Sequence, residues 1–181
     1  NMHYITQNNH RNMSLTILHD STDKATKKAT MMEGVDVKIA SVPTDVLINR
    51  GKEVYATNCA SCHGDNGMGD GAAGAGLNPK PRNFHSNDGW KNGNKISGIY
   101  KTLEEGIIQN GMAAYEYLPV MDRFALIHLI RSWNSEAPKD SDDELSELDL
   151  TYKISEGKAT TNQIPVAKAN VLIANEQKVV L

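Results

Sequence analysis

Both cysteines of this 181-residue chain lie in one stretch, Cys59-Ala-Ser-Cys62-His63. Two thiols with two residues between them, and an imidazole directly after, are open to several chemistries. A redox disulfide uses this spacing, but at the start of a helix that follows a strand. Here the pair ends a helical pattern instead. Structural zinc needs two more nitrogen or sulfur ligands, and there is no second CxxC or HxxxH, so only His85 and His128 leave an opening. Covalent haem uses all three groups. The two thiols add to the two porphyrin vinyl groups, and the next residue then lies under the iron as the proximal imidazole. One covalent haem c is therefore the expected cofactor, held by Cys59 and Cys62 with His63 on the iron; a redox thiol pair and a zinc site are the alternatives. Thioether formation takes place outside the cytoplasm, which makes the expected location periplasmic and implies export before residue 1.

Such an iron needs a sixth ligand. Met68 comes only five residues after His63, and at roughly 3.5 Å per residue that chain barely rounds a haem edge. It reads as an exposed loop residue. Met112 lies far down the chain, in Asn110-Gly-Met-Ala-Ala-Tyr115, where small neighbours allow a loop to approach the second face closely. Met121, beside Asp122 and Arg123, reads as a surface or packing methionine. His85 and His128 would allow bis-histidine ligation, but their simpler readings are a loop histidine and a helix-surface histidine. Met112 is the expected ligand. A thioether opposite an imidazole favours the ferrous state and raises the potential, as an electron carrier requires.

These residues must be positioned by their surroundings. Thr44 and Asp45 offer an N-cap for a helix through Val54, Tyr55 and Asn58 into the cysteines. Gly51 costs that helix roughly 1 kcal/mol, so its presence implies a close neighbour. Glycine, proline and asparagine between Gly64 and Gly98 argue against regular structure. Ile99–Gln109 reads as a helix with Tyr100, Leu103 and Ile107 on one side, stopped by Asn110-Gly111. Pro119 suits the first turn of a last helix reaching Trp133. The first and last helices are expected to cross, with Gly51 and Tyr55 meeting the Leu126–Trp133 face. Lys80, Arg82, Trp90 and Lys91 are candidates to meet the haem propionates, or are simply solvated loop residues.

The composition is compatible with this. A net charge of −3 gives no sign of a nucleic-acid partner, and with six Tyr, two Phe and two Trp the aromatic supply is thin, so a large planar cofactor would help fill the core. No run is long and apolar enough to span a bilayer. The chain starts at Asn with no apolar targeting segment, which reads as a processed or truncated product. Residues 1–43 are polar, with weak strand-like pieces at Leu15–Leu18 and Val35–Ile39. Residues 139–181 open on the acidic run Asp140–Asp149, a solvated linker or a dock for a basic partner. The expected organisation is an N-terminal extension over 1–43, a domain over 44–138 and a C-terminal extension over 139–181.

The segments GKEVYATNCASCHG, NGMAAY and LPVMDRFALIHLIRSW together resemble a class I c-type cytochrome, over about residues 44–136. The resemblance implies an all-α class I cytochrome c fold, here with long irregular extensions. It also implies thioethers at Cys59 and Cys62, axial ligands His63 and Met112, and a proline carbonyl accepting the His63 Nδ1–H. The usual Gly-Pro-x-Leu is absent, and Gly76-Leu-Asn-Pro-Lys-Pro-Arg-Asn-Phe84 offers Pro79 or Pro81 in its place. More narrowly, LNPKPRNF, GWKNG, LEEGI and NGMAAYEYLP are similar to the monohaem cytochrome subunit of bacterial alternative complex III. That likeness implies an electron-transfer subunit, not itself an enzyme, in a membrane-bound quinol-oxidising respiratory complex. Its partners would include a multihaem cytochrome, and electrons would pass to a periplasmic carrier or terminal oxidase. The extensions would then drape over neighbouring subunits, and the subunit would be tethered to the membrane at its N-terminus. A freestanding periplasmic shuttle shares the chemistry. A ligand-binding haem sensor would need an open sixth site, and a haem enzyme would need distal acid–base groups.

Overall fold

Thr44 takes extended dihedrals and its Oγ1 accepts the Leu47 N–H at 3.2 Å, so the first long helix begins where the sequence places it. The structure is a computed structural model and describes residues 31–134 and 136–159; the Leu15–Leu18 piece lies outside the described residues. That first long helix, α2 (Asp45–Asn58), follows a one-turn helix α1 (Val37–Ala40) and runs into a one-turn helix α3 (Ala60–His63). After the glycine-rich loop come α4 (Ile96–Glu105), α5 (Val120–Ser132) and α6 (Asp142–Tyr152). Two-residue strands β1 (Met31–Met32) and β2 (Lys158–Ala159) pair antiparallel. Among the described residues the fold is all-α but for that pairing, and no helix is long and apolar enough to cross a membrane.

The crossing of α2 and α5 is the centre of the unit. At Gly51 an added Cβ would lie 2.3 Å from the Ala125 carbonyl oxygen, so only hydrogen fits between the two backbones. One turn on, Tyr55 meets Trp133 edge to face, with ring centroids 5.1 Å apart. Helix α5 is buried from Arg123 through Ile130, as a helix surrounded by other elements must be. Phe124, Leu126 and Ile127 on it are wholly enclosed, each contributing about 1.5–3 kcal/mol by burial. Its one buried cation, Arg123, pairs with Glu104 of α4 and lies over the Tyr100 ring at 4.7 Å.

Helix α4 differs from the expected Ile99–Gln109 at both ends. It begins earlier because the Asp140 carboxylate accepts the N–H groups of Ile96 and Ser97 at 2.8 and 3.0 Å, a cap supplied from more than forty residues away. It ends at Glu105 because Gly106 takes φ +69, which breaks the helix before Ile107 can continue the apolar side. Ile107 and Met112 then exchange backbone hydrogen bonds at 2.9 and 3.2 Å, closing a tight turn over Ile108–Asn110.

The flanks are more ordered than the sequence suggested. Val35–Ile39 is not a strand. Asp36 caps α1 by accepting from Lys38 and Ile39, and Val37 and Ala40, three apart on one face, are buried. Residues 139–159 are not an irregular linker. Ser141 and Glu144 form a capping box that starts α6, and Leu145, Leu148 and Ile154 join the core. The acidic run is engaged internally: Asp140 caps α4, Glu144 meets Lys95 at 2.5 Å, and Asp149 accepts the Ser155 N–H at 2.7 Å. Met31–Thr160 is thus one compact unit, wider than the expected 44–138.

Candidate haem site

Helix α2 carries its last turn into Cys59, whose N–H donates to the Tyr55 carbonyl at 2.8 Å. The next turn, α3, holds Cys62 and His63 and is closed by Gly64 at φ +77. The buried Tyr55 hydroxyl donates to the Gly64 carbonyl at 2.7 Å, fixing this short helix against α2. Cys59, Cys62 and His63 then line one cavity of about 260 Å³. Leu77, Phe84 and Trp90 of the glycine-rich loop, Ile99 and Leu103 of α4, and Ile130 of α5 supply apolar walls. Met112 and Tyr115 line it from the loop after α4.

The imidazole is held in one orientation. His63 Nδ1 lies 3.1 Å from the Arg82 carbonyl oxygen; a carbonyl only accepts, so Nδ1 carries the proton and Nε2 keeps the free lone pair. Neither Pro79 nor Pro81 is the partner. Both prolines line the cavity, but the carbonyl that meets the imidazole belongs to the residue after Pro81, and two residues further on the Phe84 N–H donates to the Gly67 carbonyl at 2.8 Å. Phe84 also stacks on the imidazole, 4.6 Å between centroids and 19° from parallel. Burial pushes the His63 pKa below its ordinary value, which favours the neutral ligand form. Burial, then the neighbouring Cys62, pushes the Cys59 thiol up to about 12. It is held as the neutral thiol, unlike the acidified cysteines of thiol redox enzymes.

The other candidates fall elsewhere. Met68 is about half exposed and Met121 lies on the surface; neither lines the cavity. His85 is exposed and its Nε2 lies 2.8 Å from the Asn66 carbonyl oxygen. His128 is not a surface residue as expected. It is buried, and its Nε2–H donates to the Ala40 carbonyl at 2.8 Å because α1 folds over it. Among the described residues no cluster of His, Cys, Asp and Glu could hold a metal ion by itself. Of the propionate candidates, two are already engaged. Arg82 donates to the carbonyls of Asp88 and Gly89, and Trp90 Nε1 donates to Ser86 O at 2.8 Å. Lys80 and Lys91 remain, both on the cavity wall and exposed.

The family model for cytochrome c matches residues 48–134. The chain carries a class I cytochrome c domain. Membership implies covalent haem c, and the residues present fit it: two half-buried unbridged thiols, a neutral imidazole with Nε2 available, and an apolar cavity touching all three. Among solved structures, a chain titled as part of the reducing HAO-like protein complex of Kuenenia stuttgartiensis is 28% identical, with a TM-score of 0.47. The match covers 56% of this cytochrome c chain and 49% of that one, so this chain spans about half the length of that relative. Four contributors to the site carried no motif of their own in the sequence: the Arg82 carbonyl, the Phe84 ring, the Tyr55 hydroxyl and Asn58. The aromatic in Asn83-Phe84, closing a proline-rich loop, is the one signal that pointed near them.

Proposed function

We propose that this cytochrome c transfers electrons through one haem c that would be attached at Cys59 and Cys62, with His63 and Met112 as the residues that would hold its iron. The observation that carries the ligand assignment is the shared cavity. Both side chains line it, while Met68, Met121, His85 and His128 do not. Bound there, the haem supplies a one-electron iron couple. The chain contributes the rest. Leu103, Ile99, Phe84 and Ile130 exclude water; the Arg82 carbonyl orients His63 and makes it a stronger donor; Lys80 and Lys91 offer charge to the propionates. Replacing Met112 by Ala should abolish the weak near-infrared thioether–ferric band while haem stays attached. Met68→Ala should leave the band intact, and survival of the band in the Met112 variant would refute the assignment.

The narrower sequence resemblance supports placing this domain on the periplasmic side of the membrane, as a subunit of a quinol-oxidising complex of the alternative complex III kind. It would be held there by the complex or by an N-terminal anchor, passing electrons from a multihaem cytochrome to a carrier or terminal oxidase. One observation favours a freestanding shuttle instead: residues 31–43 and 139–159 pack on the domain's own helices and are not left over to drape on neighbours. Gentle solubilisation of membranes followed by size exclusion separates the two. Haem travelling with a multihaem cytochrome and an iron–sulfur protein supports the complex; a small isolated monomer supports the shuttle.

A further inference from the structure

The two halves of the site belong to different parts of the fold. His63 and both thiols ride on α2 and α3. Met112 rides on the 106–117 loop, which is fastened to α4: the Tyr115 N–H donates to the Leu103 carbonyl at 2.6 Å, and Ile107 and Met112 pair with each other. Among the described residues, the hydrogen bonds joining this loop to the 58–63 segment come from two tyrosines and end on one residue. The Tyr115 hydroxyl donates to the Asn58 main-chain carbonyl at 3.0 Å, and the Tyr117 hydroxyl reaches Asn58 Oδ1 at 3.4 Å. Asn58 is itself immobilised, because its Nδ2 donates to the Val54 carbonyl at 2.8 Å. It directly precedes the first thiol, Cys59. The two tyrosine rings lie 5.9 Å apart, so they reach Asn58 as a pair.

We infer that Tyr115, assisted by Tyr117, is a positioning latch: its bond to Asn58 holds the methionine loop closed over the cavity and limits how readily Met112 leaves the iron. This rests on the reading of Met112 as a ligand. The hydroxyl bonds the Asn58 carbonyl, and it acts by tying the loop to the helix that carries the proximal side. Opening the loop breaks this bond, so its removal lowers the opening barrier by the worth of one hydrogen bond, a factor of about 3–10 in rate.

The test uses ferric holoprotein and follows loss of the near-infrared thioether band as exogenous imidazole displaces the ligand. Tyr115→Phe keeps the ring and should speed displacement about 3–10-fold. Tyr152→Phe is the control. It deletes a comparable bond, 2.7 Å to Glu105 Oε1, away from the cavity, and should lower stability while leaving the displacement rate unchanged. A wild-type rate in Tyr115→Phe, or the same acceleration in Tyr152→Phe, would overturn the latch. Should Tyr115→Phe not yield holoprotein, the exposed Tyr117 decides: Tyr117→Phe should accelerate displacement about twofold, and no change there overturns the proposal. Absence of the band from the wild-type protein would overturn the ligand assignment, and the latch with it; a wild-type band with an unaffected Tyr115→Phe rate overturns the latch alone.

Discussion

At Gly51 two effects of one substitution have opposite signs. Gly51→Ala in an isolated helix is worth about 1 kcal/mol in favour of folding. In this fold the new methyl would sit 2.3 Å from the Ala125 carbonyl oxygen, 2.9 Å from its carbon and 3.0 Å from Leu129 Cβ. Ordinary contact is about 3.5 Å, so α2 and α5 must part by about 1 Å. The obstacle is backbone inside a buried helix, which cannot swing aside as a side-chain tip would. With backbone as the obstacle the overpacking cost falls in the upper part of the usual range, about 2–3 kcal/mol. Separation of the helices also loosens the Tyr55–Trp133 contact one turn away. The net expectation is a loss of about 1–2 kcal/mol, or roughly 3–8 °C in Tm for a unit of this size. Urea unfolding of the ferric holoprotein, followed by far-ultraviolet circular dichroism, measures it. Gly76→Ala is the internal contrast: nothing lies within 4 Å of an added Cβ there, and the change should stabilise by about 0.4–1 kcal/mol through the unfolded chain. A Gly51→Ala protein as stable as wild type, with unchanged denaturant dependence, would refute the close-crossing argument.

Three further outcomes follow from other parts of the molecule. Asp140→Ala removes both acceptors from the start of α4 and should cost about 1–2 kcal/mol, with faster amide exchange at Ile96 and Ser97 as its local signature. Tyr55→Phe leaves the Gly64 carbonyl without its buried donor and should cost about 1–2 kcal/mol, read by urea unfolding. His128 gives a pH dependence. Burial, followed by the charge of Arg131, depresses its pKa, while its bond to the Ala40 carbonyl opposes the shift. Below about 6.5 the unfolded chain takes up a proton that the folded chain resists, so this contribution to stability is complete above that pH and declines as pH falls towards the folded value. His128→Gln should flatten that part of the stability–pH curve; an unchanged slope would remove His128 as its source.

The sequence was most legible where chemistry is local. Cys59, Cys62 and His63 suggest covalent haem by spacing alone, Thr44 is followed at once by the helix it caps, and Gly51 signals a close neighbour because a helix does not otherwise favour glycine. Met112, the proposed second ligand, was singled out by elimination together with the small residues around it. What was hidden depends on the meeting of distant segments. A backbone carbonyl has no sequence signature, so the partner of His63 could be narrowed to a proline-rich loop but not to Arg82. His128 looks exposed on the sequence of α5 because the element covering it, α1, lies 88 residues earlier and is a single turn long. The end of α4 was misplaced because Ile107 continues the apolar side, and only the left-handed backbone at Gly106 shows that the helix has already stopped. The acidic run looked solvated because Asp140 finds its partners in a helix that a linear reading treats as finished.

That last connection bears on how this domain can be cut and moved. The stretch that matches the family ends at residue 134, and a fragment trimmed there would look complete by motif: both thiols, the imidazole, the methionine and all the long helices around the haem. It would nevertheless lack the Asp140 carboxylate, the Lys95–Glu144 pair and the carbonyls of Ala137 and Pro138 that receive the Arg131 guanidinium. The smallest unit that can be transplanted, fused or expressed with its architecture intact therefore runs to the end of β2, because the tail beyond the matched stretch holds the start of α4 in place.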